Sequence, residues 1–166
     1  TSVETIELSR SFGGVPVFYG DPQRPEILHA AKVDQAEFFV IAMDDPEINI
    51  KTAELVRSLY PHMKIIARAR NRQHVHRLVD LDASPVRETF YSSLEMSRRT
   101  LVGLGLSQAQ ADARITRFKN HDLQVLAAQH AVYDDAAKVM QTAQEARAEL
   151  ARLFEMDRLE EESDKV

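Results

Sequence analysis

The 166-residue chain has no cysteine. Disulfide frameworks, cysteine zinc sites, iron–sulfur clusters and thiol catalysis are therefore excluded, and a reducing compartment is permitted. No apolar run approaches the ~18 residues of a bilayer-spanning helix. The start, Thr1-Ser2-Val3-Glu4, does not read as a signal or transit peptide. Basic residues are in deficit, 21 against 26 acidic, for a net charge of −5. That argues against bulk binding to nucleic acid or anionic membrane while leaving room for a local basic site. Glycine (5) and proline (6) are few and uneven, with no proline after Pro85 and no glycine after Gly105. The remainder is a long helical signal. What is present is ordinary for a globular chain, 44% hydrophobic and 28% charged residues. The length fits one domain with an appendage, burying roughly 70% of its unfolded surface.

Before residue 92 the pattern alternates. Short apolar runs at 15–20 (VPVFYG), 38–43 (FFVIAM) and 64–69 (KIIARA) each end in turn chemistry and read as strands, with 89–91 as a further short strand. Segments 3–11, 25–31, 47–59 and 72–81 read as helices. Alternation of this kind predicts βαβ units and an α/β fold with a parallel, Rossmann-like sheet. The nearly unbroken apolar runs predict strands covered on both faces. Three or four strands are few for such a sheet, so N-terminal strands missing from this chain are expected, supplied by a preceding stretch or another polypeptide. From 93 to 166 a helical extension is expected. A helix over 94–104 stops at Gly103 and Gly105, and Ser107 with Gln110 fits a capping box. That next helix is expected to end at Lys119, with a break at Asn120-His121-Asp122. A single helix then runs over 123–162, paired by Asp134 and Lys138 and ending in an acidic tail.

In open parallel sheets, ligands bind at the carboxyl ends of strands. Asp21, then Asp44 with Asp45, then Arg68, Arg70, Asn71 and Arg72 fall there. The carboxylates suit ribose hydroxyls or an adenine amine; the arginines suit carboxylate or phosphate. Turn chemistry and helix capping explain the aspartates equally well. Lys64, Arg68, Arg70, Arg72 and Arg77 form either a basic patch for an anion or a set of solvated salt bridges. Arg87-Glu88-Thr89-Phe90 is a second anion-site candidate, and Arg117, Lys119, Asn120 and Asp122 form a third polar cluster. No GxGxxG or Walker sequence occurs. Gly103-Leu104-Gly105 follows a helix rather than a strand, so it reads as a helix stop. His74 and His76 are two apart and point to different sides of a helix, and no metal set or catalytic set emerges.

Taken in order, VFYGD (17–21), AMDDP (42–46), PHMKIIARARN (61–71), RETF (87–90) and LGL (104–106) resemble the C-terminal regulatory domain of the glutathione-gated potassium efflux systems, the Kef family. That domain is of the potassium-transport nucleotide-binding (KTN or RCK) type. The resemblance implies a non-enzymatic homodimer whose long C-terminal helices cross between subunits. It implies attachment to a potassium–proton antiporter domain of the same polypeptide, at the cytoplasmic face of the bacterial inner membrane, with room for an ancillary oxidoreductase-like subunit and no nucleic acid partner. Glutathione closes such transporters and bulky glutathione adducts open them, while an adenine nucleotide, AMP or of NAD(H) type, occupies the crevice. Position by position, Arg87 matches the family's glutathione-contacting arginine. The family's downstream asparagine falls on Asp122, a departure, with Asn120 as the alternative. Phe12 matches the aromatic that senses adduct bulk. Asp21, Ala42, Met43 and Asp44 match the adenosine side of the nucleotide site. The family's Gly-rich loop, which carries a further glutathione-binding arginine, has no match here. Two other classes remain: a fragment of a dinucleotide-dependent oxidoreductase, and a purely structural dimerisation module.

Overall fold

A computed structural model describes residues 20–163 of the chain. Phe12, the helix expected at 3–11 and most of the strand expected at 15–20 lie outside the described residues. Two compact units divide between Val86 and Arg87.

In the first unit, α1 (Pro25–Ala30) and a 3-10 turn (Val33–Gln35) lead into β1 (Phe38–Ile41). There follow α2 (Pro46–Leu59), β2 (Lys64–Arg68), α3 (Arg72–Asp80) and β3 (Ala83–Val86). The strands are all parallel, in the order β1-β2-β3. The fold is the expected Rossmann-like α/β arrangement. The two longer helices each begin at a side chain that satisfies free N–H groups. Asp45 caps α2, accepting from the Glu47 and Ile48 amides at 2.8 and 3.2 Å. Pro46 follows at the first helical position, where no N–H is needed. Asn71 caps α3 by accepting from the His74 amide at 3.0 Å.

The core of this unit joins Ile41, Ile65 and Ala67 of the sheet with Ile50, Ala53 and Val56 of α2 and Val75 and Leu78 of α3. Cover is not complete on both faces, however. Phe38 and Val40 of β1 are 51% and 65% exposed, contrary to the expectation from the apolar run. The strand expected at 89–91 is helical, and β3 lies earlier, at ASPV. Pro85 hides it from an apolar-run search. A proline is tolerated there because, among the described residues, β3 pairs only with β2, on one side.

The amino ends of the strands are tied by one arginine. Arg57 donates to the carbonyls of Leu81 (2.9 Å), Pro61 (2.6 Å) and Asp82 (2.7 Å). Asp82 holds a left-handed conformation (φ 53°), which turns the chain into β3.

The second unit is helical: α4 (Glu88–Gly103), α5 (Gln108–His130) and α6 (Ala136–Ser163). The helix expected from residue 94 therefore starts at Glu88, and the sequence division at 92/93 falls in its first turns. Gly105 (φ +102°) makes the turn after α4, and the Ser107–Gln110 capping box forms as expected. The expected break at Asn120-His121-Asp122 does not occur, because α5 runs through it to His130. The chain turns at 131–135 instead, and Asp135 caps α6 by accepting from the Ala137 and Lys138 amides at 3.1 and 3.2 Å. His121 and Asp122 are buried and bonded to other helices, so neither is available as a cap. Lys138 accordingly pairs with Asp135 at 3.4 Å rather than with Asp134. Among the described residues no helix is long and apolar enough to cross a membrane.

Candidate functional site

The crevice candidates sit where β1 and β2 end. Ala42, Met43 and Asp44 follow β1 directly. The Met43 main chain is gripped by Asn49, one turn into α2. The Asn49 amide accepts from the Met43 N–H (3.2 Å) and donates to the carbonyls of Met43 (2.9 Å) and Arg68 (3.2 Å). It is 2% exposed and links the carboxyl ends of two strands. Asn49 thus fixes the backbone at the carboxyl ends of β1 and β2, the edge at which open parallel sheets bind ligands. Sequence reading missed it. The signal was present: a lone amide on the stripe Asn49, Thr52, Ala53, Val56, where every other residue is apolar or a hydroxyl.

The aspartates divide between the two open readings. Asp45 is a helix cap. Asp21 is exposed and accepts from the Gln23 amide at 2.9 Å, forming a local turn. Asp44 is fully exposed and pairs with Arg68 at 2.7 Å. Beside it, Glu47 of α2 accepts from Arg77 of α3 at 2.5 Å, and the His74 ring lies 3.8 Å from Glu47. The Arg77 hydrogen bond holds the Glu47 carboxyl below its usual range, and burial pushes the His74 imidazolium pKa down. The basic patch is therefore split. Arg68 and Arg77 are in ion pairs, and Lys64 lies at the opposite end of β2, 5.0 Å over the Phe38 ring.

In the helical unit, Arg87 and Asp122 meet. Arg87 is the N-cap residue of α4, and its guanidinium donates to the Asp122 carboxylate of α5. Their side chains are 10% and 6% exposed. The flat face of the guanidinium lies 3.8 Å over the Phe90 ring, and Phe90 stacks on Phe118 at 6.3 Å. Phe90 was named in sequence only as the end of the RETF motif, and Phe118 was not singled out. They line up because Arg87/Phe90 and Phe118/Asp122 are helical neighbours three and four apart. Asn120 is exposed, on a different side of α5 from Asp122. Arg117, from the same expected cluster, pairs with buried Asp157 of α6. His121 bonds the Ala146 carbonyl at 3.0 Å.

A cavity of about 740 Å³ opens between these helices, lined by Leu94, Leu101, Arg114, Ile115, Phe118 and Phe154 among others. Among the described residues no group of histidine and carboxylate side chains is arranged to hold a metal.

Residues 1–87 match the TrkA-N domain family, and residues 92–166 match the potassium efflux system KefB C-terminal domain. The structure is similar to that of a Shewanella denitrificans Kef C-terminal domain in its AMP-bound form, with 31% identity and a TM-score of 0.67. The similarity covers 78% of this chain and 90% of that one. Two contiguous family matches and a common fold along most of both chains agree with the motif order, and the chain belongs to the Kef family as a KTN/RCK-type C-terminal regulatory domain of a potassium efflux system.

Proposed function

We propose that this domain gates a potassium–proton antiporter of the same polypeptide, at the cytoplasmic face of the bacterial membrane, by reading two ligands. An adenine nucleotide sits at the carboxyl ends of β1 and β2, with Asp21 and Asp44 toward its adenosine and the main chain of Ala42 and Met43 held ready by Asn49. AMP bound to the Shewanella domain supports this reading. Glutathione, an anionic tripeptide, takes Arg87 as its carboxylate anchor at the interface of a homodimer. Adducts with a bulky group on sulfur are sensed by displacement of Phe12. The observation that carries the glutathione reading is a buried guanidinium, stacked on Phe90, at the position where the RETF motif predicts the anchor.

A ligand shifts a two-state equilibrium only by its differential affinity for the two states. Moving a gate from mostly shut to mostly open takes about 5.5 kcal/mol of such difference, which a pair of equivalent sites divides between them. A charge-assisted hydrogen bond of about 1.5–3 kcal/mol is a sizeable share. Calorimetry of glutathione with the Arg87→Ala protein is expected to show affinity lowered roughly ten- to a hundredfold. Unchanged affinity removes Arg87 from the site.

A further inference from the structure

Arg87 is already occupied by a carboxylate. Its cationic face rests on Phe90 at 3.8 Å, its edge points at Asp122, and only 10% of its side chain reaches solvent. Nη2 already donates to a carboxylate, and a second anion has to reach a side chain that is mostly covered. Resting on the reading of Arg87 as the ligand's anchor, we infer that Asp122 is a built-in competitor: it holds the anchor closed, and a ligand carboxylate binds by taking its place.

Asp122 is 5% exposed. It sits in mid-helix, neither at a cap nor at a turn. Burying both ions is costly, and their facing each other offsets part of that cost. An entering carboxylate restores the pairing for Arg87 and releases Asp122 from it. Ligand affinity is therefore the difference between two nearly equivalent anion contacts, which keeps it modest and makes it sensitive to the residue at 122. The exchange also breaks the one ion pair described between the start of α4 and the middle of α5. Occupancy is thereby coupled to how these two helices pack within their unit.

Asp122→Asn removes the competing charge with almost no change of shape. A purely structural latch predicts a less stable protein with unaltered or weaker anion binding. A competitor predicts the opposite binding result. Glutathione is expected to bind Asp122→Asn about tenfold tighter than the unaltered protein by calorimetry. Acetate, a bare carboxylate, is expected to raise the thermal midpoint of Asp122→Asn and leave that of the unaltered protein and of Arg87→Ala unmoved. Equal or weaker glutathione binding by Asp122→Asn, or acetate acting alike on all three, overturns the inference. If Asp122→Asn does not fold unaided, recovery of its helical signal in acetate is the equivalent readout, and no recovery overturns it. If none of the proteins binds glutathione while acetate still selects Asp122→Asn, the competitor stands and the glutathione reading falls. If Arg87→Ala weakens glutathione but Asp122→Asn does not strengthen it, the competitor alone falls.

Discussion

The two units differ in the charge they bury. Among the described residues, the sheet unit buries Asn49, Thr52, His74 and His76 but no carboxylate or guanidinium, inside a core rich in Ile, Val, Leu and Ala, and Asn49 spends its amide on main-chain partners. The helical unit buries the charged Arg87, Asp122 and Asp157 beside His121 and Gln129, with few buried apolar side chains, Leu94, Ala111 and Val125. A neutral amide bonded to backbone offers an outside ion nothing to exchange. A buried charge pair does, because either partner accepts any ion of the right sign and shape. On the function proposed here, the first unit holds a crevice in place and the second responds to what arrives.

The sharpest way to break this contrast is to remove one buried charge. Arg87→Met leaves Asp122 buried without its cation and is expected to lower stability by about 3–5 kcal/mol. Adding Asp122→Leu is expected to restore most of the loss, since a well-packed apolar pair often equals an ion pair. Chemical denaturation of the single and double variants measures this, and equal instability of the two denies that the helical unit depends on charge matching. A smaller effect is expected in the sheet unit. Asn49→Ala orphans the buried main chain at Met43 and Arg68 without leaving a charge, costing about 2 kcal/mol. In the same protein the midpoint increase given by AMP is expected to shrink, because the loop after β1 loses its brace. AMP stabilisation equal to that of the unaltered protein separates Asn49 from the nucleotide site.

The smallest effect is a pH slope. Burial lowers the folded-state pKa of His74 below its ordinary 6.5, so the unfolded chain binds the proton first. The stability contributed by neutral His74 is whole above 6.5 and is lost as pH falls toward the lowered value. Glu47, held down by Arg77, acts in the same sense, beginning only below its ordinary 4.5. Thermal midpoints between about pH 7 and about pH 5 are therefore expected to fall less steeply in His74→Gln than in the unaltered protein. Parallel profiles exclude His74 as a source of the slope.

Much of the architecture was legible in sequence because its signals are local. Strands at 38–43 and 64–69, the helix beginning at Asp45-Pro46 and the Ser107–Gln110 box all follow from side chains bonding within a few residues. Asn120-His121-Asp122 shows the limit. The same short polar side chains that cap a helix also make tertiary bonds, and nothing in neighbouring sequence distinguishes the two uses. The turn at 131–135 was hidden for the complementary reason, since it contains neither glycine nor proline and relies on Asp135 alone. Arg87 and Asp122 were both visible as candidates, as separate ligand contacts. That they hold each other is a fact about two residues 35 positions apart in sequence.

The order of motifs, the parallel α/β alternation and the long helical remainder were determined by sequence alone, because period, capping and turn chemistry act over one or two turns of chain. Only the tertiary structure decided which polar residues are spoken for. Asn49 became a brace, Asp45 a cap, Asp44 a surface partner of Arg68 and Asp122 the buried counter-ion of Arg87. Burial sets what a charge costs, and burial depends on segments that sequence distance does not bring together.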